Sequence, residues 1–373
     1  MKNQNITYVF ERGRKSKLSE IDSSKEFFYG YHYFVNEFKN VNLIELKGSD
    51  HKNSNLWFFI DKILVKISNL PFHFSRIEKK KMYKDLINSN IVIFTNERSA
   101  MSSLLTFRKI KKKKEINSLV IVMGLFVKPK KTIFQKVFQK VFIKIFLKVF
   151  DNIVFLSRTE YGIAKKNYSK FQRKFHYLPF SVDTKFWKLD ENIDFSKKDK
   201  LLFIGNDGRR DFNKIIEIAK QLTEYNFLFV TDKISNQELK SDNVQLIQGH
   251  WNLNILTDLQ IKEIYSEAKV SIIPLKNSLQ PSGQSVAQQS MAMGVPVLIS
   301  KTEGFWDFKN YKNNFNIVFQ EDEEINSWVK TIRKLYNDNQ KLEEISKNGL
   351  SLIKETNNLE NFYINLKEIL NLN

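Results

Sequence analysis

The chain has 373 residues, more than one hydrophobic core of roughly 250–300 residues accommodates, so two domains are expected. It contains no cysteine, which excludes disulfides, thiolate nucleophiles and cysteine-ligated zinc, and its five histidines are scattered without metal-ligand spacing. The net charge of +19 is lopsided: residues 1–190 hold 38 Lys and Arg against 16 Asp and Glu, a net of +22, whereas residues 191–373 hold 22 against 25, a net of −3.

In chain order, the first half alternates short apolar runs with helical stretches: ITYVF (6–10), a helix near 24–38, VNLIEL (41–46), a helix near 76–87, NIVIFT (90–95) and SLVIVM (118–123). Next comes FQKVFQKVFIKIFLKVF (134–150), in which Phe134, Phe138, Phe142, Phe146 and Phe150 recur every four residues, as do Lys136, Lys140, Lys144 and Lys148. At about 100° per residue the Phe series sweeps one half of a helix and the Lys series the other. Such a helix either lies along a bilayer interface, with Lys136, Phe138, Lys140, Phe142, Lys144 and Phe146 at the contact, or packs its Phe face on the sheet. The alternation restarts after a polar stretch at 189–200. KLLFIG (200–205) is a strand, 211–222 a helix, NFLFVT (226–231) and NVQLIQG (243–249) strands, 259–268 a helix, VSIIPL (270–275) a strand, 284–293 a helix and PVLIS (296–300) a strand. Helices at 322–335, 339–353 and 356–371 close the chain. Strand–helix alternation of this kind predicts parallel sheets covered on both faces, with ligands at the carboxyl ends of the strands.

Residues 101–150 carry 13 basic side chains and a single acid, Glu115, so a polyanionic surface, nucleic acid or an anionic membrane leaflet, is expected to meet the first half. The opening MKNQNITYVF has no apolar core followed by a small-residue cleavage site. No stretch approaches roughly 18 uncharged apolar residues. A cytoplasmic protein, soluble or peripheral on the inner face of the cell membrane, is expected.

Two loops carry chemistry. KLLFIG runs into Asn206-Asp207-Gly208-Arg209-Arg210-Asp211, where Gly205 and Gly208 admit close backbone approach, Asp211 can cap the next helix, and two arginines offer forked donors to a diphosphate. VSIIPL leads through Lys276 to Pro281-Ser282-Gly283, which opens a helix whose N–H groups suit phosphate or sugar hydroxyls. Gln289 lies about one and a half turns inside that helix, and its amide can both donate to and accept from vicinal hydroxyls. The chain has neither Gly-x-x-x-x-Gly-Lys-Ser/Thr nor Gly-x-Gly-x-x-Gly, so nucleotide hydrolysis and dinucleotide redox chemistry lack their usual support.

The run from Pro281 to Val297 resembles the signature of GT-B glycosyltransferases, family 4 in particular, whose donor helix ends Glu-Ala-Met-Ala-x-Gly-x-Pro-Val. Here that end reads Gln289-Ser290-Met291-Ala292-Met293-Gly294-Val295-Pro296-Val297. Gly205 to Asp211 looks like the family's Gly-rich first loop of the second domain, and Phe180-Ser181-Val182-Asp183-Thr184-Lys185-Phe186 is similar to its interdomain Gly-Val-Asp-x-x-x-Phe. The family's two glutamates eight residues apart, the first near the donor sugar and the second on the ribose, are replaced by Pro281 and Gln289.

The resemblance implies an α/β protein of two doubly wound Rossmann-like domains facing each other across a cleft. The expected division is an acceptor domain over 1–188, a nucleotide-sugar domain over 189–355, and a helix over 356–373 that returns to the first domain. It further implies retaining, metal-independent transfer from a nucleoside-diphosphate sugar to a membrane lipid or glycan, with no cofactor. Arg209 and Arg210 would stabilise the leaving diphosphate. Gly205, Asn206, Asp207, Lys276, Pro281, Ser282, Gly283, Gln284, Ser285, Val286 and Gln289 would surround the donor. Gly13, Asn96, Glu97 and Gly124 would lie on the acceptor side, and Trp251 would stack on the base or pack in the core. A catalytically inactive relative and a basic nucleic-acid-binding module are the alternatives.

Overall fold

The computed structural model describes residues 2–46, 55–189, 193–239, 241–249 and 256–372; Trp251 lies outside the described residues. The chain forms two compact units, one of Met1–Glu20, Phe27–Pro179 and Phe362–Asn373, the other of Ile21–Glu26 and Phe180–Asn361.

The first unit contains β1 (Lys2–Phe10), α1 (Tyr31–Glu37), β2 (Phe38–Glu45), α2 (Asn55–Ser68), α3 (Lys79–Ile87), β3 (Ile91–Phe94), α4 (Glu97–Lys111), β4 (Asn117–Val122), α5 (Ile133–Val149), β5 (Asn152–Phe155), α6 (Arg158–Asn167) and β6 (Phe175–Tyr177). Its six strands are all parallel in the order β2-β1-β3-β4-β5-β6. Every residue of β3 is buried, as a strand covered on both faces requires. Leu86, Phe107, Ile143, Phe146 and Ala164, from α3 to α6, share one core with Val92, Val120 and Phe155 of the sheet. Asn96, Thr132 and Ser157 cap α4, α5 and α6 by accepting an N–H of the first turn.

Several elements differ from the sequence reading. The helix expected over 24–38 shrinks to Tyr31–Glu37, because Gly30 at φ 79° starts it late and Phe38 already belongs to β2. α2, α4, β5, α6, β6, a short helix at Asn236–Leu239 and a strand at Val318–Gln320 are absent from that reading. The reading of α5 needs a correction. Residues four apart advance about 40° around a helix, so the Phe series turns from solvent into the core: Phe134 is 74% exposed, Phe138 37% and Phe146 0%. Phe142 packs on Phe72 with ring centroids 5.0 Å apart, and Phe146 on Phe150 at 4.7 Å. Phe146 is therefore a core residue and half-buried Phe142 packs against that core, neither of them a bilayer contact, while Lys136, Lys140 and Lys144 are exposed.

The second unit contains β7 (Lys200–Ile204), α7 (Phe212–Gln221), β8 (Asn226–Val230), α8 (Asn236–Leu239), β9 (Val244–Ile247), α9 (Asp258–Glu267), β10 (Ala268–Ile273), α10 (Gln284–Ala292), β11 (Val297–Ser300), β12 (Val318–Gln320), α11 (Ile325–Tyr336) and α12 (Asn339–Thr356). The strands are again parallel, in the order β12-β11-β10-β7-β8-β9. Both units are thus doubly wound α/β folds. Sequence order reverses between β7 and β10, so the loops after these two strands flank the crevice where such sheets bind ligands. From the final helix, α13 (Leu359–Leu370), Tyr363 and Lys367 join the first unit. Both bond to Glu37, Lys367 Nζ lying 2.8 Å from Glu37 Oε1.

Candidate active site

Arg210 organises the loop after β7. Its side chain is 2% exposed and crosses directly over Gly205, where an added Cβ would collide with the guanidinium. Nε donates to Ile204 O at 3.3 Å, and Nη1 reaches Ser282 Oγ at 3.0 Å and Asp207 Oδ2 at 2.9 Å. Burial pulls its pKa down and Asp207 opposes that shift, so the ion pair keeps a buried cation in place. Two backbone bonds then lock this loop to the one after β10: Asp211 N donates to Pro274 O at 3.0 Å and Lys276 N to Arg209 O at 2.9 Å. Arg209 is half-buried with Nη2 3.2 Å from Gln280 Oε1, and Lys276 is exposed. Asp211 caps α7.

Asn206 and Asp207 have internal work. Asn206 Oδ1 accepts from Thr231 Oγ1 at 2.8 Å and Asp232 N at 2.7 Å, and its amide donates to Gly249 O, so one side chain ties the ends of β7, β8 and β9. Asp207 accepts from Arg209 N at 2.8 Å and from Ser282 Oγ at 3.2 Å. α10 begins at Gly283, whose φ of 78° brings no capping side chain, and its first turn contains no acid. That helix end, half-buried Pro281, Ser282 and Ser285, and buried Gln284 and Val286 follow the same loop. The joined loops after β7 and β10 bring together Arg209, Lys276 and a helix N-terminus, a combination suited to an anionic diphosphate.

Gln289 is placed differently from the sequence expectation. Its Nε2 donates to Glu26 Oε1 at 2.8 Å and its Oε1 accepts from Tyr265 OH at 3.1 Å, so both ends of the amide are engaged inside the unit. Trp187 Nε1 also donates to Glu26 Oε1, at 2.9 Å. Burial pushes the Glu26 carboxyl up to about 7, against the lowering effect of its bonds from Gln289 and Trp187. Segment 21–26 is fixed by Ser24, whose N and Oγ donate to Asp258 Oδ2 at 2.8 and 2.9 Å, and by Lys25 N donating to Asp183 Oδ2 at 3.1 Å. Sequence reasoning missed Glu26, Trp187 and Tyr265, because no local spacing connects positions 263 residues apart.

In the first unit, Gly13 turns the chain after β1 at φ 96°, and Asn96 is the cap of α4, accepting Ser99 N at 2.7 Å. Glu97 is buried and accepts Met123 N at 3.0 Å, while Gly124 N and Phe126 N donate to Glu160 at 2.6 and 2.9 Å. Two carboxyl groups, from the first turns of α4 and α6, therefore hold the loop after β4. Only Ser157-x-x-Glu160, a capping-box pattern, hinted at Glu160. Burial, helped by the neighbouring Glu97, raises Glu160 to about 8 although both N–H donors oppose it. The folded pKa exceeds the unfolded one, so the stabilisation is complete below the unfolded value and is lost as pH rises through about 8. Unfolding free energy is expected to fall with rising pH across this window, by up to about 1.4 kcal/mol per pH unit for this group. In Glu160→Gln the slope should be shallower by that amount in urea titrations; an identical slope would refute protonated Glu160.

Among the described residues, no group of three or more His, Asp or Glu is placed to hold a metal ion, and no helix is long and apolar enough to cross a membrane. Residues 185–351 match the family described as glycosyl transferases group 1. No curated protein matches the chain. Among solved structures, the chain is similar to sucrose-phosphate synthase from Thermosynechococcus elongatus, with a TM-score of 0.69, 14% identity and coverage of 99% of this chain and 98% of that one. It is similar to HepE from Anabaena in complex with UDP and glucose, with a TM-score of 0.67, 10% identity and coverage of 99% of both chains. A glycosyltransferase from Rickettsia africae gives a TM-score of 0.67, 16% identity and coverage of 99% of both. At these identities the likeness is one of fold, and the fold is GT-B.

Proposed function

We propose that residues 185–351, which match the glycosyl transferases group 1 family, form a nucleotide-sugar-dependent glycosyltransferase domain, and that the protein transfers a sugar, with retention, to a membrane lipid or cell-surface glycan at the inner face of the cell membrane. The observation that supports this reading most is the union of the loops after β7 and β10 beside the open N-terminus of α10. The bond from the anomeric carbon to the diphosphate oxygen breaks as the bond to the acceptor oxygen forms on the same face. The acceptor proton passes to the departing phosphate, so no side-chain base is required. Charge growing on the diphosphate is met by Arg209, Lys276 and the N–H groups from Gly283 to Ser285. Arg210 acts beneath them, holding Asp207 and Ser282 in register.

Titration calorimetry with uridine and guanosine diphosphates tests this. Arg209→Ala with Lys276→Ala is expected to weaken binding about tenfold or more, roughly 1.4 kcal/mol, with an unchanged unfolding midpoint. A folded protein that binds no nucleoside diphosphate overturns the reading. The engaged amide of Gln289 favours a second one, nucleotide binding without transfer. Turnover of a sugar nucleotide in the presence of extracted membranes separates the two.

A further inference from the structure

The first unit leaves two helical stripes of large apolar side chains in solvent. On α2 they are Leu56, Phe59 and Ile63; on α5 they are Phe134, Val137 and Val141. Both sets follow the spacing i, i+3, i+7, which is one face of a helix. The register of lysines repeats as well. Lys62 and Lys66 stand six and ten residues after Leu56, and Lys140 and Lys144 stand six and ten after Phe134, so each stripe has an exposed basic margin on the same side. α2 and α5 pack against each other. Gln135 Nε2 donates to Lys66 O at 3.1 Å, and buried Gln139 Nε2 donates to Ser68 O at 3.2 Å, which fixes the start of α5 to the end of α2.

We infer that these two helices form one docking surface for an anionic lipid bilayer, with the stripes in the acyl boundary and the lysine margins at the headgroups. Charge selects this occupant. α5 contains no acid, and the single acid of α2, Asp61, is buried and accepts Phe74 N at 2.8 Å and Ser75 N at 2.9 Å. The neighbouring helices continue the field: one cleft beside α5 is lined in part by Arg108, Lys112 and Lys148, another by Lys80, Lys84 and Lys109. Protein interfaces are depleted of lysine, whereas interfacial helices combine an aromatic and aliphatic face with lysine flanks.

The test is flotation of the whole protein with vesicles of phosphatidylcholine alone and of phosphatidylcholine mixed with phosphatidylglycerol, read without nucleotide. Its failure is thereby a separate result from failure to bind nucleoside diphosphate. Wild type is expected to float with the anionic vesicles and to be released by salt. Phe59→Ser with Phe134→Ser, both at exposed positions, should lower the bound fraction about tenfold with an unchanged unfolding midpoint. Lys140→Ala with Lys144→Ala should weaken anionic binding selectively. Unchanged flotation of the Phe variant, equal binding to neutral vesicles, or a dimer that the Phe variant abolishes in the absence of any vesicle binding would each overturn the inference. So would duplex DNA binding without flotation.

Discussion

Arg210→Ala is expected to lower the unfolding free energy by about 2–4 kcal/mol and to weaken nucleoside diphosphate binding at least as much as loss of Arg209 and Lys276 together. Asp207 is half-exposed, so solvent screens part of what its ion pair with buried Arg210 contributes. The larger losses are the buried bonds to Ile204 O and Ser282 Oγ, and the space that opens above Gly205. Arg210→Lys should not rescue either property, because an ammonium cannot serve three directions from one planar fork. Gly205→Ala supplies an internal control. Alone it is strongly destabilising, since its Cβ meets the guanidinium; with Arg210→Ala the obstacle is gone and the two losses should be far from additive. Additive losses in urea denaturation would mean that the guanidinium does not lie over Gly205.

The second large effect concerns Glu26 and residue 289. Gln289→Glu places a second carboxyl within hydrogen-bonding distance of a buried one, and one of the two must then stay protonated. A loss of roughly 2–4 kcal/mol is expected near neutral pH, easing in acid. Glu26→Gln in the same chain restores one carboxyl and one amide across the contact, so the double substitution should recover most of the stability, as a shift of the thermal midpoint reports. For wild type the sign follows from Glu26 itself. Its folded pKa of about 7 lies above the ordinary carboxylate value, so its stabilisation is full in acid and declines as pH rises through neutrality. Independent, uncorrected losses in the double substitution would show that the two side chains do not meet.

These outcomes also mark where sequence reading succeeds and fails. KLLFIG and VSIIPL are apolar runs followed at once by polar loops, so both strand ends were legible; order reversal between β7 and β10 then brings them together without further information. α2 was not legible, because LWFFIDKILVK mixes aromatic residues with an inward-facing acid and shows no clean polar face. β6 spans only 3 residues, and β5 follows the apolar end of α5 after Phe150 and Asp151 alone, so neither stands out as a separate run. In α5 the four-residue repeat leaves bilayer contact and packing on the sheet equally open, and only the tertiary structure assigns Phe142 and Phe146 to the packed side while Phe134 stays exposed. Gln289 was found by position within a motif, yet its partners Glu26 and Trp187 are tertiary facts. A resemblance locates a side chain along the chain, whereas the proton and hydrogen-bond partners it holds are set by residues the motif does not contain.

Asn206 has a mechanical consequence for the crevice. By joining the ends of β7, β8 and β9 it turns three of the six strand mouths into a single stiff rim. Any accommodation to ligands of different size is then left to the opposite lip, the stretch from Asn277 to Ser282, whose tethers include Asp207, Arg209, Arg210 and Asn277's own bond with Glu303. Under the proposed function, discrimination among sugars is tuned by substitutions on that lip, while the rim supplies an unvarying frame for the part of the donor common to all of them.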